Sequence, residues 1–189
     1  MIEMKEKMKF STRHKFGLAQ ENQFLCRHCR KFVFTGGEFS GVRSRNHCPF
    51  CLHSRHLDLV EAGDRLSACK GVMKPVGLTR KQTHKKYNPQ GGELMLIHMC
   101  QDCGKLSINR IARDDDAHLI YEYFQKSFLL TAEMKHLIYS QQIALLGEAE
   151  ADFVIRRLFG QGGMGLHETW QPEEWASLSP RLAEYPGSV

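Results

Sequence analysis

The chain has 189 residues, of which 42% are hydrophobic and 25% charged, a balance that fits a folded globular protein and excludes wholesale disorder. Its uncharged apolar runs fall well short of the roughly 18 residues a membrane-spanning helix needs, and Met1-Ile2-Glu3-Met4-Lys5-Glu6-Lys7 carries no apolar stretch of a secretory signal, so a soluble, cytoplasmic protein is expected. The net charge of +5 is unevenly spread: residues 1–113 hold 21 Lys and Arg against 9 Asp and Glu, a net +12, whereas 114–189 hold 5 against 12, a net −7. A basic part followed by an acidic one points to a polyanion-facing surface on the first part only.

Residues 1–19, with Lys5, Lys7, Lys9, Arg13, His14 and Lys15, read as a flexible basic arm suited to sequence-independent binding. Phe24-Leu25-Cys26 then reads as a strand entering a metal knuckle, Lys31-Phe32-Val33-Phe34 as the strand leaving it, and Thr35-Gly36-Gly37 as a turn. The seven cysteines all lie in the basic part. Six form C-x2-C pairs, Cys26/Cys29, Cys48/Cys51 and Cys100/Cys103. Two thiolates three positions apart can grip one ion from a tight turn, and two such turns supply tetrahedral zinc. Eighteen residues separate Cys29 from Cys48, within zinc-ribbon spacing. A first zinc site of Cys26, Cys29, Cys48 and Cys51 is therefore expected.

The second site has three cysteines, Cys69, Cys100 and Cys103, and wants a fourth ligand, for which histidine is the usual supplier. His98 shares a strand face with Cys100 on Glu93–Met99, a strand expected after the Asn88-Pro89-Gln90-Gly91-Gly92 turn. His56 would pair with Cys69 as a second arm facing the Cys100/Cys103 knuckle. His56 is favoured and His98 stays open. His47 is a candidate supporting group beside Cys48, and His84 lies in a Lys-rich loop.

Basic residues cluster around these sites: Arg27, Arg30 and Lys31 beside the first knuckle, Arg43, Arg45 and Arg55 beside the second, Lys81, Lys85 and Lys86 before the third, and Arg110 after it. These are candidate phosphate contacts. Phe32, Phe34, Phe39, Phe50 and Tyr87 are interleaved and could stack on unpaired bases, although Phe32 and Phe34 are expected in the core. Asp114-Asp115-Asp116 could hold a magnesium ion, but a helix N-cap with first-turn charges is the simpler expectation. From Ala117 to Gly160 apolar residues recur at helical spacing, and Trp170 and Trp175 in the last stretch could anchor a protein partner.

Arg45-Asn46-His47-Cys48-Pro49 spells RNHCP, and around it stand Asn22-x-Phe24-x-Cys26-x-x-Cys29, His56-x-Asp58, Gly63-Asp64-Arg65, Cys69-x-Gly71-x-Met73-x-Pro75, Ile97-His98-x-Cys100-x-x-Cys103-Gly104 and Asn109-Arg110-Ile111-Ala112-x-Asp114-Asp115. In this order the motifs resemble the RNHCP family of small prokaryotic proteins over roughly residues 20–116. The resemblance implies a zinc-ribbon-like domain and no particular activity. Lys70 departs from it, at a place where the family tends to have glycine.

The expectation is thus an α+β protein: a basic arm (1–19), a small zinc-ribbon-type β domain with two zinc ions (20–116), a mainly helical domain (117–165) and a tail (166–189). Closed four-ligand sites argue for structural zinc and a non-enzymatic RNA- or ribosome-associated role. A metal-dependent enzyme acting on nucleic acid and a protein–protein adaptor are the alternatives.

Overall fold

The structure is a computed structural model describing residues 23–82 and 92–160, and the chain divides into two compact units, Met1–Leu146 and Gly147–Val189. The first unit begins with a two-stranded hairpin of β1 (Gln23–Leu25) and β2 (Phe32–Phe34), followed by a single helical turn, α1 (Gly37–Ser40). A four-stranded antiparallel sheet follows in the order β3-β4-β5-β6, made of β3 (Ser54–Arg55), β4 (Val72–Lys81), β5 (Glu93–Cys100) and β6 (Leu106–Arg110). Helices α2 (Ala117–Lys126) and α3 (Ala132–Ser140) complete the unit, joined through a 3-10 turn at Ser127–Leu129.

The two central strands explain the apolar run Leu94-Met95-Leu96-Ile97. Strands covered on both faces need no polar alternation, and all four of these residues are buried. β4 carries Pro75 in mid-sheet, where a missing N–H would break the ladder. The register with β5 shifts there, passing from Pro75 opposite His98 to Gly77 opposite Ile97, which is a bulge. Gly77 also lets the chain after α3 come close: a Cβ there would lie 2.6 Å from Leu145 Cδ1 and 3.1 Å from Ser127 Cβ. Val76, Ile97, Leu106 and Ile138 form the core on this side, with Met134, Ile143 and Leu145 packed against it.

Helix α2 starts at a cap that the sequence suggests, and α3 at one it does not announce. Asp116 accepts from the N–H groups of His118 and Leu119 at the head of α2, and Thr131 Oγ1 accepts from Met134 at the head of α3. Although read from the sequence as the start of a second domain, α2 and α3 share one unit with the sheets, and the division falls after Leu146 instead. In the second unit α4 (Ala151–Phe159) follows a 3-10 turn at Glu148–Glu150, carries Arg156 and Arg157 in its last turn, where they complement the helix dipole, and ends at Gly160 with φ 71°. No helix among the described residues is long and apolar enough to cross a membrane. The basic arm, Lys85, Lys86, Tyr87, Trp170 and Trp175 lie outside the described residues.

Candidate metal centres

One local device occurs three times. At Cys26 the chain turns so that Arg30 N–H donates to Cys26 O at 3.0 Å and Cys26 N–H to Lys31 O at 2.9 Å. At Cys48 the same pair of bonds runs from Leu52 to Cys48 and from Cys48 to His53, and at Cys100 from Gly104 to Cys100 and from Cys100 to Lys105. The residue after each C-x2-C pair takes a left-handed conformation: Arg30 at φ 62°, Leu52 at 59° and Gly104 at 73°. Closing so tight a turn around two sulfurs requires that φ, which costs a non-glycine residue roughly 1–2 kcal/mol.

The hairpin β1–β2 carries the first knuckle, and the segment before β3 carries the second. Between them they bring Cys26, Cys29, Cys48 and Cys51 together, with every sulfur within 4.8 Å of the others. Cys26 Sγ lies 3.6 Å from Cys51 Sγ, and Cys29 Sγ 3.6 Å from Cys48 Sγ. A zinc tetrahedron with bonds near 2.3 Å has sulfur–sulfur edges of about 3.8 Å, so these residues fit the ion. Their acidity supports the same reading. Burial pushes the Cys26 thiol up, while Cys48 is held down to about 5, chiefly by its hydrogen bond with Cys51, whose own proton is held upward in turn. Four sulfurs this close cannot all ionise unless a cation lies among them.

The second group is His56, Cys69, Cys100 and Cys103. Cys69 Sγ is 3.6 Å from Cys100 Sγ, and His56 Nδ1 is 3.3 Å from Cys103 Sγ. This donor set also fits zinc, with three thiolates and one imidazole. The backbone N–H of Lys105 leads the groups that draw the Cys103 thiol down, whereas burial pushes Cys100 up to about 11. The arm bearing His56 and Cys69 is not a knuckle. His56 N–H donates to Gly71 O, and the intervening loop is organised by two carboxylates. Asp64 accepts from the N–H groups of Leu59, Val60, Glu61 and Leu66, and Asp58 from Gly63 and Arg65. The N–H of Leu66 leads the bonds that hold the Asp64 carboxyl far below its usual range. Lys70, the departure from the family pattern, sits at φ 53°, a conformation that favours glycine.

His98 does not join either group. It is fully buried, its Nε2–H donates to Leu52 O at 2.7 Å, and its Nδ1 pairs with Asn109 Nδ2 at 2.9 Å. Burial pushes it down to about 3, helped by His47. His28 and His53 lie near Cys51, but their rings stack at 3.5 Å with 3° between planes. Their in-plane lone pairs therefore run side by side instead of converging on a common ion.

Three expectations about the surrounding residues need correction. Arg45 does not face solvent: its side chain is 0% exposed, with Nη1 donating to both oxygens of Asp114 (2.8 and 2.7 Å) and Nη2 to Asp115 at 2.7 Å. It cannot meet a polyanion. Secondly, Asp114 and Asp115 are not cap residues, since only Asp116 caps α2. Asp115 also pairs with His47 Nε2 at 2.8 Å and accepts from Ala112 N–H at 2.7 Å. With these two carboxylates taken up and Asp116 capping α2, the three aspartates do not assemble a magnesium site among the described residues, and Arg110 pairs with Glu93 at 3.2 Å. Thirdly, Phe32 and Phe34 are not core. Only Val33 between them points inward, and each phenylalanine is 63% exposed.

The other candidate contacts are distributed as follows. Arg27, Arg30, Lys31, Arg43 and Lys81 are exposed, and Arg55 is half-buried. Arg27 Nη1 donates to Lys70 O at 3.2 Å, which links the first knuckle to the Cys69 arm. Lys31 Nζ stands 4.5 Å above the ring of Phe50, itself 51% exposed between Cys48 and Cys51.

Antiparallel sheets followed by helices, with two cysteine-rich groups that could hold a metal ion, define the class: an α+β protein with candidate metal centres. More particularly, a family model for the RNHCP domain matches residues 21–121, more than half of the chain, and the protein belongs to that family. No curated protein and no solved structure matches it.

Proposed function

We propose that the chain is a zinc-ribbon-type module with two structural zinc ions that binds single-stranded RNA without catalysing a reaction on it, in association with the ribosome. The observation that carries this reading is the outward face of the β1–β2 hairpin. Phe32 and Phe34 project from it, Leu25 is paired beside Phe32, and Phe50 with Lys31 above its ring stands at the neighbouring knuckle. Large exposed aromatic rings on a metal-braced scaffold lose little entropy when bases stack on them. The exposed Arg27, Arg30, Lys31 and Arg43 supply charge for the phosphates. The ribosomal setting rests on analogy with other basic zinc ribbons. Both metal groups have four protein ligands, which supports a structural role for the ions.

The test is binding of the zinc-loaded chain to a fluorescent single-stranded RNA oligonucleotide, with the double variant Phe32→Ala, Phe34→Ala. Stacking of about 1–3 kcal/mol per base predicts a ten- to hundred-fold or greater loss of affinity with unchanged zinc content. Sedimentation with ribosomal particles should be lost at raised salt. Affinity that is indifferent to both rings and to salt would overturn the proposal, and binding that survives nuclease and salt would mark a protein adaptor.

A further inference from the structure

A cavity of about 210 Å³ lies beside the second metal group, bounded by Asn46, by Arg55 and His56 with the loop that follows them, by Met73, and by Lys105 to Asn109. That is about seven times the ~30 Å³ share of one liquid water, room for a small polyatomic ligand. Among the described residues only two buried side-chain polar atoms lack a hydrogen-bond partner. They are Arg55 Nε and His56 Nε2, and both residues line this one cavity.

The His56 atom has a definite chemistry. Its Nδ1 faces Cys103 in the metal group, and ligation through Nδ1 leaves the ring proton on Nε2. Metal-bound imidazoles ordinarily pass that proton to a carboxylate, carbonyl or water. Here the N–H is buried, in a residue only 5% exposed, with no protein acceptor. Arg55 is equally unusual. It makes no ion pair among the described residues, and the charge that bears on it, after burial, is another cation, Arg27. The acids of the cavity wall do not answer it. Asp58 accepts from the N–H groups of Gly63 and Arg65 and leans toward the Arg65 guanidinium, and Glu61 is exposed. Lys105 adds a second cation to the wall, its Nζ donating to Leu59 O.

Asn46 completes the pattern. Its flanking residues Arg45 and His47 are consumed by Asp114 and Asp115, and its carbonyl oxygen accepts from Ser54 and Arg55. The residue is buried and borders the cavity. Two unanswered N–H donors on one wall, one cationic and one fixed by the metal group, want an acceptor-rich anion.

We propose that this cavity binds a phosphate group, free or within a phosphodiester, with Arg55 Nε–H and His56 Nε2–H as its buried donors. The proposal does not depend on the aromatic face. The test uses the full zinc-loaded chain, labelled with nitrogen-15, titrated with inorganic phosphate against sodium chloride and sodium acetate of equal ionic strength. Saturable shifts of the Arg55 Nε–H and His56 ring signals are expected with phosphate. Arg55→Gln should weaken binding at least tenfold and Asn46→Ala several-fold, with zinc content unchanged by native mass spectrometry. Should Arg55→Gln not fold, Arg55→Lys, which keeps the charge and lacks Nε, makes the same comparison. A parallel titration with dimethyl phosphate separates the sources: a response to it alone assigns a phosphodiester, and a response to inorganic phosphate alone a free ligand. No saturation by either, an equal response to acetate, or unaltered affinity in the variants would mean that the cavity holds ordered water, and would overturn the proposal.

Discussion

The two metal groups are built differently. In the first, two copies of the same turn face each other, each stitched by its own pair of backbone bonds, so the ligands are positioned within short stretches of chain. In the second, one such turn at the end of β5 faces an arm that has no turn of its own. In that arm Asp58 and Asp64 satisfy much of the loop between His56 and Cys69. One group is set by local geometry, and the other by a loop, a sheet and a knuckle arriving together.

The largest test of this contrast is loss of one ligand from each. Structural zinc contributes an apparent ~10–16 kcal/mol in small domains, comparable to the whole stability of many. Cys48→Ser, at a fully buried position, should therefore unfold the hairpin with the RNHCP segment. Cys103→Ser, at an exposed one, should release one ion and leave the first group loaded. Native mass spectrometry with nitrogen-15 spectra reads both, and loss of both ions from Cys103→Ser would break the contrast.

Asp115→Ala comes next. It strips the buried Arg45 and His47 of their shared carboxylate, and removing one partner of a buried pair costs about 3–5 kcal/mol, measurable by urea unfolding of the zinc-loaded chain.

Gly71→Ala sharpens the comparison from the other side. A Cβ there would come within 2.5 Å of Asp102 Oδ2 and 2.9 Å of Cys100 Sγ, so it should weaken metal at the second group at least tenfold in a chelator competition and leave the first unaffected.

The smallest effect is expected of Lys70→Gly. Relief of the left-handed strain should add up to about 1 kcal/mol, slightly offset by loss of the exposed Lys70–Arg65 bond. A fall in stability would show that the lysine is needed there.

Much of this was legible in the residues themselves. C-x2-C spacing announces a knuckle because the turn that joins two sulfurs is local. The grouping of His56 with Cys69 could be read only as a choice between two histidines, since it depends on where a sheet edge brings a loop. The strands β4 and β6 went unread: Pro75 and Gly77 interrupt the first, and β6 has only five residues. Arg45 misleads for a related reason. Nothing in an arginine beside a cysteine says whether it faces water, and the carboxylates that bury it stand about 70 positions later. The exposed Phe32 and Phe34 misled in the opposite direction, because a two-stranded hairpin has one covered face and phenylalanine is usually found on it.

The Arg45–Asp115 pair also bears on the order in which the molecule assembles. Cys26 and Cys51 are 25 positions apart, and Arg45 and Asp115 are 70 apart. By chain length alone the longer closure costs only about 0.9 kcal/mol more, yet it has to wait for β4, β5 and β6 to be present. A chain emerging residue by residue can load an ion at its first four cysteines long before the Arg45 guanidinium, which stands among them in sequence, finds its carboxylates. The early hairpin would then be a half-finished surface, with Arg45 still open to solvent, until Asp114 and Asp115, beyond the strand that ends at Arg110, are made.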